Sequence, residues 1–320
     1  MRLVILDRKS FDRGDLDFSG LDALNLEIDI YDNTAVQELT ERIKDADIVV
    51  TNKIVIDSQH LDKANHLKLI CLAATGTNNI DLQAAKDKEI NVCNVTAYAT
   101  SSVVQHVFML ITALSRQFNL YRQTSENNHW SESDYFCLLD YSITDLAGLT
   151  LGIIGYGELG KAVARFATVL GMRVVVAESF IAEHSKTSQR IPLEKLLSES
   201  DIVSLHCPLT HQTQNLITEA EFKLMKPSAI LINTARGGII NEQDLLTALN
   251  KKQIAGAGLD VLEQEPPASD NPLINSNLSN LIITPHIAWA SKQSRQRLLN
   301  GVIENIQAYL NGVSKNSVNF

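Results

Sequence analysis

The chain has 320 residues, 45% of them apolar, and a formal charge of −9 at neutral pH from 28 basic and 37 acidic side chains. That length supports two cores of ordinary size, and the acidic balance argues against nucleic acid or an anionic membrane as a partner, leaving anionic small molecules to specific arginines or lysines. Four scattered cysteines, Cys71, Cys93, Cys137 and Cys207, form no CxxC pair, so neither a disulfide framework nor a metal site is expected, and a reducing cytoplasm is the expected location.

Taken in chain order, MRLVILDRKS opens as a β-strand rather than a secretion signal, and no apolar run approaches the roughly 18 residues of a membrane span. Short apolar runs follow at Ile48–Thr51 and Leu69–Leu72, then at Leu151–Ile154, Val174–Ala177, Ile202–Leu205, Ala229–Asn233 and Leu281–Thr284. Such runs, with the first at Leu3–Leu6, alternate with helix-like segments, which predicts an α/β protein with parallel sheets covered on both faces. The spacing Ser102-x-x-Gln105 predicts a capping box, and the following VVQHVFMLITAL is apolar on most faces, as a helix buried between layers would be. It is expected to bridge into the second lobe. The polar, aromatic-dotted stretch at about 116–146 reads as an arm that packs on another subunit. Ser291–Leu310 has helical periodicity, with Gly312 as its C′ stop.

LGIIGYGELG contains Gly155-x-Gly157-x-x-Gly160 between an apolar strand and a helix-like run. The three glycines suit a tight turn, close approach to a pyrophosphate at the helix N-terminus, and close helix–strand packing. The next strand ends in Glu178, where a carboxylate can accept hydrogen bonds from both ribose hydroxyls. Glu178 would repel a 2′-phosphate, and Ser179 and Phe180 offer no cation for one, so NAD is expected over NADP.

Arg236 in INTARGG and His286 in TPHIAWAS lie just beyond buried-type strands, where ligands bind in parallel sheets, and Glu265 stands in GLDVLEQEPP. A nicotinamide enzyme acting on a 2-keto acid needs a carboxylate clamp and a proton donor beside the hydride path. Arg236 offers a planar fork, His286 can exchange a proton near neutral pH, and Glu265 can hold the ring. His206, at the end of another strand, rivals His286 as the acid but is preferred as part of the cofactor wall. His206 and His211 lack a third ligand for a metal. His60, His66, His106, His129 and His184 have no context that singles them out.

From about Ile48 to Ser291 these motifs, together with CLAATGTNNIDLQAA, NVTAYATSSVVQHVFML and SLHCPLTHQTQNLI, resemble the D-isomer-specific 2-hydroxyacid dehydrogenases. FCLLDYSITDLAG and PHIAWAS are most similar to the glycerate dehydrogenase, or hydroxypyruvate reductase, branch. The resemblance implies two doubly wound parallel-sheet domains. A Rossmann NAD domain, residues 99–286 with a dimerisation arm at about 116–146, would be inserted into a flavodoxin-like substrate domain made of 1–98 and 287–320. The glycine turn would then be central because its domain is an insert, with the first lobe closing over the nicotinamide end.

The resemblance makes Arg236 the substrate clamp, His286 the acid/base and Glu265 its partner, with the backbone N–H groups around Thr75 and Gly76 on the substrate carboxylate. NAD would meet Gly155, Tyr156, Gly157, Glu158, Leu159, Gly160, Glu178, Cys207, Pro208, Thr213, Thr234, Ala235, Arg236, His286 and, near the carboxamide, Asp260. Lys53 and Trp289 are expected pocket residues. Val104-Gln105 replaces an alanine–glutamate pair frequent in the family, and Glu178 stands where aspartate is commoner. The expected activity is NADH-dependent reduction of hydroxypyruvate to D-glycerate by a homodimer, with glyoxylate as second substrate. The alternatives are a D-lactate-type or broad 2-keto acid reductase and, in another class, an NADH-sensing binding protein without turnover.

Overall fold

The computed structural model describes residues 1–179 and 190–320, so Phe180 and His184 lie outside the described residues. The chain divides into two units, Met1–Ala99 with Trp289–Phe320, and Thr100–Ala288. Relative to the expected boundaries, Ala99 goes with the first unit and Ile287 and Ala288 with the second. The amide groups of those two residues donate to the buried carboxylate of Asp260 in the second unit, at 2.9 and 2.8 Å.

The first unit is a five-stranded parallel sheet, β1 (Arg2–Ile5), β2 (Glu27–Ile30), β3 (Ile48–Thr51), β4 (Leu69–Leu72) and β5 (Asn91–Cys93), in the order β2-β1-β3-β4-β5. This is the doubly wound, flavodoxin-like order. Both faces are covered, which explains why β1, β3 and β4 read as apolar runs rather than alternating ones. Along β1, Leu3 and Ile5 enter one core cluster while Val4, and Leu6 just after the strand, enter the other.

The helix Lys292–Leu310 covers one face through Leu298, Leu299, Val302 and Ile306. Ser291 caps its start, the hydroxyl accepting the Ser294 N–H at 3.2 Å. At its end Gly312, with φ +74°, donates to the Tyr309 carbonyl at 2.9 Å, and Val313 donates to Ala308 at 2.9 Å, the paired bonds of a Schellman stop.

Arg295 of this helix is buried and forms a two-point ion pair with Asp15, at 2.7 and 2.9 Å, tying the loop after β1 to the end of the chain. Hydrogen bonds from this guanidinium hold the Asp15 carboxyl at about 2, below its ordinary 3.8. A depressed folded-state value stabilises the fold above the unfolded value, and that contribution is lost as pH falls from near 4 towards 2. Denaturant midpoints of the parent should therefore exceed those of Asp15→Asn at pH 6, and the gap should narrow across that acid window. A gap independent of pH would assign the pair no ionic role.

The second unit is a seven-stranded parallel sheet, β6 (Thr150–Ile154), β7 (Arg173–Ala177), β8 (Arg190–Ile191), β9 (Ile202–Leu205), β10 (Ile230–Asn233), β11 (Gly256–Leu259) and β12 (Leu281–Ile283). Its order is β12-β11-β10-β9-β6-β7-β8. The chain runs outward from β6 to β8 and then returns to β9, so the strand order reverses between β6 and β9, where the crevice of such sheets opens. The expectation of an α/β protein with two doubly wound parallel sheets holds. β11 escapes an apolar search because it reads GAGL. A Cβ on Gly258 would lie 3.0 Å from both Leu110 and Ile232 side chains, so the strand is kept smooth beneath the long helix Thr100–Ser115.

That helix buries Val103, Val104, Val107, Phe108, Leu110, Ile111 and Leu114, as its sequence implied. The expected capping box is not formed. The helix begins at Thr100, so Ser102 is its third residue, and the Ser102 hydroxyl donates instead to the Ala288 carbonyl at 2.6 Å.

The arm begins with the helix Phe118–Glu126 and is tied internally, with the Tyr121 hydroxyl donating to the Tyr141 carbonyl at 2.7 Å and the Trp130 indole to the Phe136 carbonyl at 3.1 Å. Its apolar side chains nevertheless face outward, with Phe136 92% and Leu139 84% exposed. Among the described residues no helix is long and apolar enough to cross a membrane.

Candidate active site

The loops after β6 and β9 meet at the carboxyl edge of the second sheet. Gly155 has φ +92°, and a Cβ there would fall 2.4 Å from the Cys207 N and 2.5 Å from the His206 carbonyl carbon, so only glycine lets the two loops touch. A Cβ on Gly160 would strike the Gly155 carbonyl at 2.1 Å, whereas one on Gly157 would meet no heavy atom within 4 Å. Gly157 caps the helix Glu158–Val169, so its open side lies at a helix N-terminus, where backbone N–H groups favour an anion. Glu178 is exposed directly after β7, the neighbour of β6, and the Glu158 carboxylate accepts from the Thr100 hydroxyl.

Two buried polar atoms at this edge, Thr234 Oγ1 and His206 Nδ1, have no hydrogen-bond partner among the described residues. Orphaned groups of this kind beside an open glycine turn fit a polar ligand such as a dinucleotide. Burial lowers the titration of His206 to about 4, and its Nε2 lies 2.9 Å from the Ser204 hydroxyl. A neutral wall residue suits it better than a proton donor at neutral pH. Cys207 is also buried, which pushes its thiol up to about 11, so it presents an apolar surface. The Thr213 hydroxyl donates to the Pro208 carbonyl at 2.6 Å and accepts the Thr210 N–H at 2.8 Å, so it is committed to shaping the loop.

The three charged candidates sit after three adjacent parallel strands, Arg236 after β10, Glu265 after β11 and His286 after β12. Their loops thus leave the same edge side by side. Glu265 Oε2 is 2.6 Å from His286 Nδ1, and Oε1 accepts the Leu262 N–H at 3.0 Å. A carboxylate can only accept, so Nδ1 carries the proton between them, and Nε2 is the ring's other exchangeable nitrogen.

Asn233 cross-ties the Arg236 turn, its side chain accepting the Ala235 N–H at 3.0 Å and donating to the Arg236 carbonyl at 2.8 Å. A Cβ on Gly237 would lie 1.9 Å from the Leu262 carbonyl oxygen, so this glycine presses the arginine turn onto the backbone that leads to Glu265. Arg236 itself is exposed, with Nη1 donating to the Ala235 carbonyl at 2.7 Å.

His286 holds a left-handed backbone, φ +53°, uncommon for a residue with a side chain. Its N–H donates to the Asp260 carbonyl at 2.9 Å. The Asp260 carboxylate in turn takes the Ile287 and Ala288 N–H groups at 2.9 and 2.8 Å and the Thr284 hydroxyl at 2.6 Å. Asp260 is 1% exposed, and this set of donors makes it a brace for the His286 turn. His106 Nε2 lies 2.8 Å from the same Thr284 hydroxyl. Sequence reasoning passed over Asn233, His106 and the bracing role of Asp260; the signal for His106 was a polar notch, with Ser102 four residues earlier, in a mostly apolar helix.

In the first unit, Thr75 and Gly76 follow β4, and Thr75 is anchored by its hydroxyl on the Val95 carbonyl at 2.9 Å and by the Asn94 amide on its own carbonyl at 2.7 Å. Lys53 is exposed after β3, its backbone N–H held by the buried Asp7 carboxylate at 2.7 Å. Trp289 packs edge-on against Tyr98, ring centroids 6.3 Å apart at 78°, and onto the core beneath the C-terminal helix. No group of three or more possible metal ligands occurs among the described residues.

A doubly wound sheet with this glycine turn, and with a histidine–carboxylate pair and an arginine at its carboxyl edge, belongs to the dinucleotide-dependent oxidoreductases. Residues 108–288 match the NAD binding domain of the D-isomer specific 2-hydroxyacid dehydrogenases. The chain is 42% identical to glycerate dehydrogenase of Methylorubrum extorquens, over 99% of this chain and 98% of that one. It is 38% identical to hydroxypyruvate reductase of Blautia hydrogenotrophica over 100% of both. D-lactate dehydrogenase of Aquifex aeolicus, solved with NAD and lactic acid, superposes with a TM-score of 0.82 at 30% identity, covering 100% of this chain and 99% of that one. The chain belongs to the D-isomer specific 2-hydroxyacid dehydrogenases, NAD-dependent oxidoreductases of small 2-hydroxy and 2-keto acids.

Proposed function

We propose that the protein reduces hydroxypyruvate to D-glycerate with NADH and takes glyoxylate as its second substrate. The observation that carries this reading is the side-by-side exit of Arg236, Glu265 and His286 from β10, β11 and β12, with Glu265 bonded to His286 Nδ1 at 2.6 Å. The names of the glycerate dehydrogenase and hydroxypyruvate reductase relatives, matched over nearly their whole length, support the substrate. NADH, when bound, supplies the hydride to the keto carbon.

The chain's own residues do the rest. In the second unit the Arg236 fork binds the substrate carboxylate. His286 gives the proton from Nε2 to the carbonyl oxygen as that oxygen gains charge, while Glu265 holds the ring and stabilises it when charged. The glycine turn and the helix N-terminus after it take the pyrophosphate, with Glu178 on the adenosine ribose.

Loss of NADH absorbance with a panel of hydroxypyruvate, glyoxylate and pyruvate tests the reading. The expected order of kcat/KM puts hydroxypyruvate first, glyoxylate second and pyruvate last. Pyruvate in first place would make this a D-lactate-type enzyme; tight NADH binding without turnover on any of the three would make it a sensor.

Cofactor choice has its own test. Glu178→Arg should narrow the kcat/KM preference for NADH over NADPH by about 10-fold or more, because the change removes a charge that repels a 2′-phosphate and adds one that binds it. An unchanged ratio would relocate the discrimination to other residues.

We propose in addition that the arm joins two copies of the chain, because Phe136 and Leu139 would otherwise hold large apolar faces in water. Sedimentation of Phe136→Ser/Leu139→Ser should show a shift from dimer towards monomer. A parent that sediments as a monomer would end that proposal.

A further inference from the structure

Among the polar side chains of the long helix Thr100–Ser115, Ser102 and His106 are both half-buried. At a spacing of four residues they stand one above the other on the same helix face. Both reach the short segment that carries His286, and they reach it on either side of that residue. The Ser102 hydroxyl donates to the Ala288 carbonyl at 2.6 Å, and His106 Nε2 lies 2.8 Å from Thr284 Oγ1.

The direction of the second contact follows from the next one. Thr284 Oγ1 is 2.6 Å from Asp260 Oδ1, and a carboxylate accepts, so the threonine hydroxyl donates to Asp260 and must accept from His106. His106 is therefore the Nε2–H tautomer at the head of a chain that runs imidazole, hydroxyl, carboxylate. Burial lowers its titration against the opposing pull of Asp260, whose Oδ1 lies 3.4 Å away. From Asp260 the chain ends on the Ile287 and Ala288 N–H groups, and the Asp260 carbonyl holds the His286 N–H.

We propose that His106, with Ser102, is a positioning residue for His286: the helix face fixes the left-handed turn on which the proton donor stands and so sets the direction of its ring. The inference rests on the proton-donor reading of His286. A left-handed residue with a Cβ stays put only when its surroundings over-determine it, and the bonds just described supply that constraint from both flanks. Proton transfer is steeply sensitive to sub-ångström misplacement, so slackening the turn acts on the chemical step before it acts on cofactor binding.

The test uses the full-length protein in five variants, His106→Leu, His106→Gln, Ser102→Ala, His286→Ala and the double variant His106→Leu/His286→Ala. His106→Leu removes the donor, while in His106→Gln the amide nitrogen can stand where Nε2 stood. For His106→Leu the expected result is a fall in kcat of about 10-fold, with the NADH dissociation constant by fluorescence titration within about twofold of the parent. His106→Gln should recover kcat to within about threefold, and Ser102→Ala should show a smaller fall of the same kind. In the His286→Ala background, His106→Leu should add nothing, because a residue that acts through another loses its effect when that other is gone.

Several results would overturn the inference. One is a folded His106→Leu protein with parental kcat; another is equal loss of NADH affinity and kcat without rescue by glutamine; a third is full additivity with His286→Ala. Should His106→Leu fail to fold, parental kcat in Ser102→Ala would overturn it as well. Parental turnover in His286→Ala alone would instead strike the proton-donor reading, so the two failures are told apart.

Discussion

His286→Ala is expected to lower kcat for hydroxypyruvate reduction by about 10²–10⁴-fold, the range a positioned general acid contributes, while the NADH dissociation constant changes by less than about threefold. Hydride arrival at the keto carbon places charge on the carbonyl oxygen, and without a donor that charge must be met by water. The proton donor acts mainly in the transition state, so its removal falls on kcat and spares binding. The geometry makes the prediction specific to this histidine: Nδ1 is held by Glu265 at 2.6 Å, and the backbone is locked on Asp260. His206, the other strand-end histidine, titrates near 4 through burial and has no carboxylate partner among the described residues. Steady-state kinetics beside a fluorescence titration with NADH provide the check, and parental kcat would take His286 out of the mechanism.

Arg236→Lys should lower kcat/KM for hydroxypyruvate by about 10²-fold, since an ammonium keeps the charge but loses the planar two-point fork that matches a carboxylate. The turn carrying Arg236 is held by Asn233 on one side and pressed on Leu262 through Gly237 on the other, so a lysine cannot recover the fork by backbone adjustment. Because the clamp also orients the keto carbon, kcat should fall along with the rise in KM. Kinetics with hydroxypyruvate and glyoxylate decide the point. An unchanged kcat/KM for both would remove the guanidinium from substrate binding.

How much was legible before folding depended on how local each signal was. The strands at Ile48–Thr51, Leu69–Leu72 and Ile202–Leu205 match the observed spans, because buried parallel strands leave an unbroken apolar record. β2, which reads EIDI at a sheet edge, and β11, which reads GAGL beneath a helix, left no such record. The capping box at Ser102 was a local pattern that tertiary structure overrode, for its hydroxyl found the Ala288 carbonyl instead. His106 was invisible for the reason that makes it interesting: its partner Thr284 lies 178 positions away in the chain.

By itself the sequence determined the fold class, the glycine turn with its trailing Glu178, and the kinds of group that a keto acid reductase needs at Arg236, Glu265 and His286. These follow from periodicity, backbone sterics and side-chain chemistry, all of which act over short stretches. Only the tertiary structure decided that β10, β11 and β12 are neighbours, that Glu265 meets Nδ1 of His286, and that a buried aspartate and a helix hold the histidine's backbone in place. Strand order and sub-3 Å contacts between distant residues depend on how the chain packs, and no local pattern encodes them.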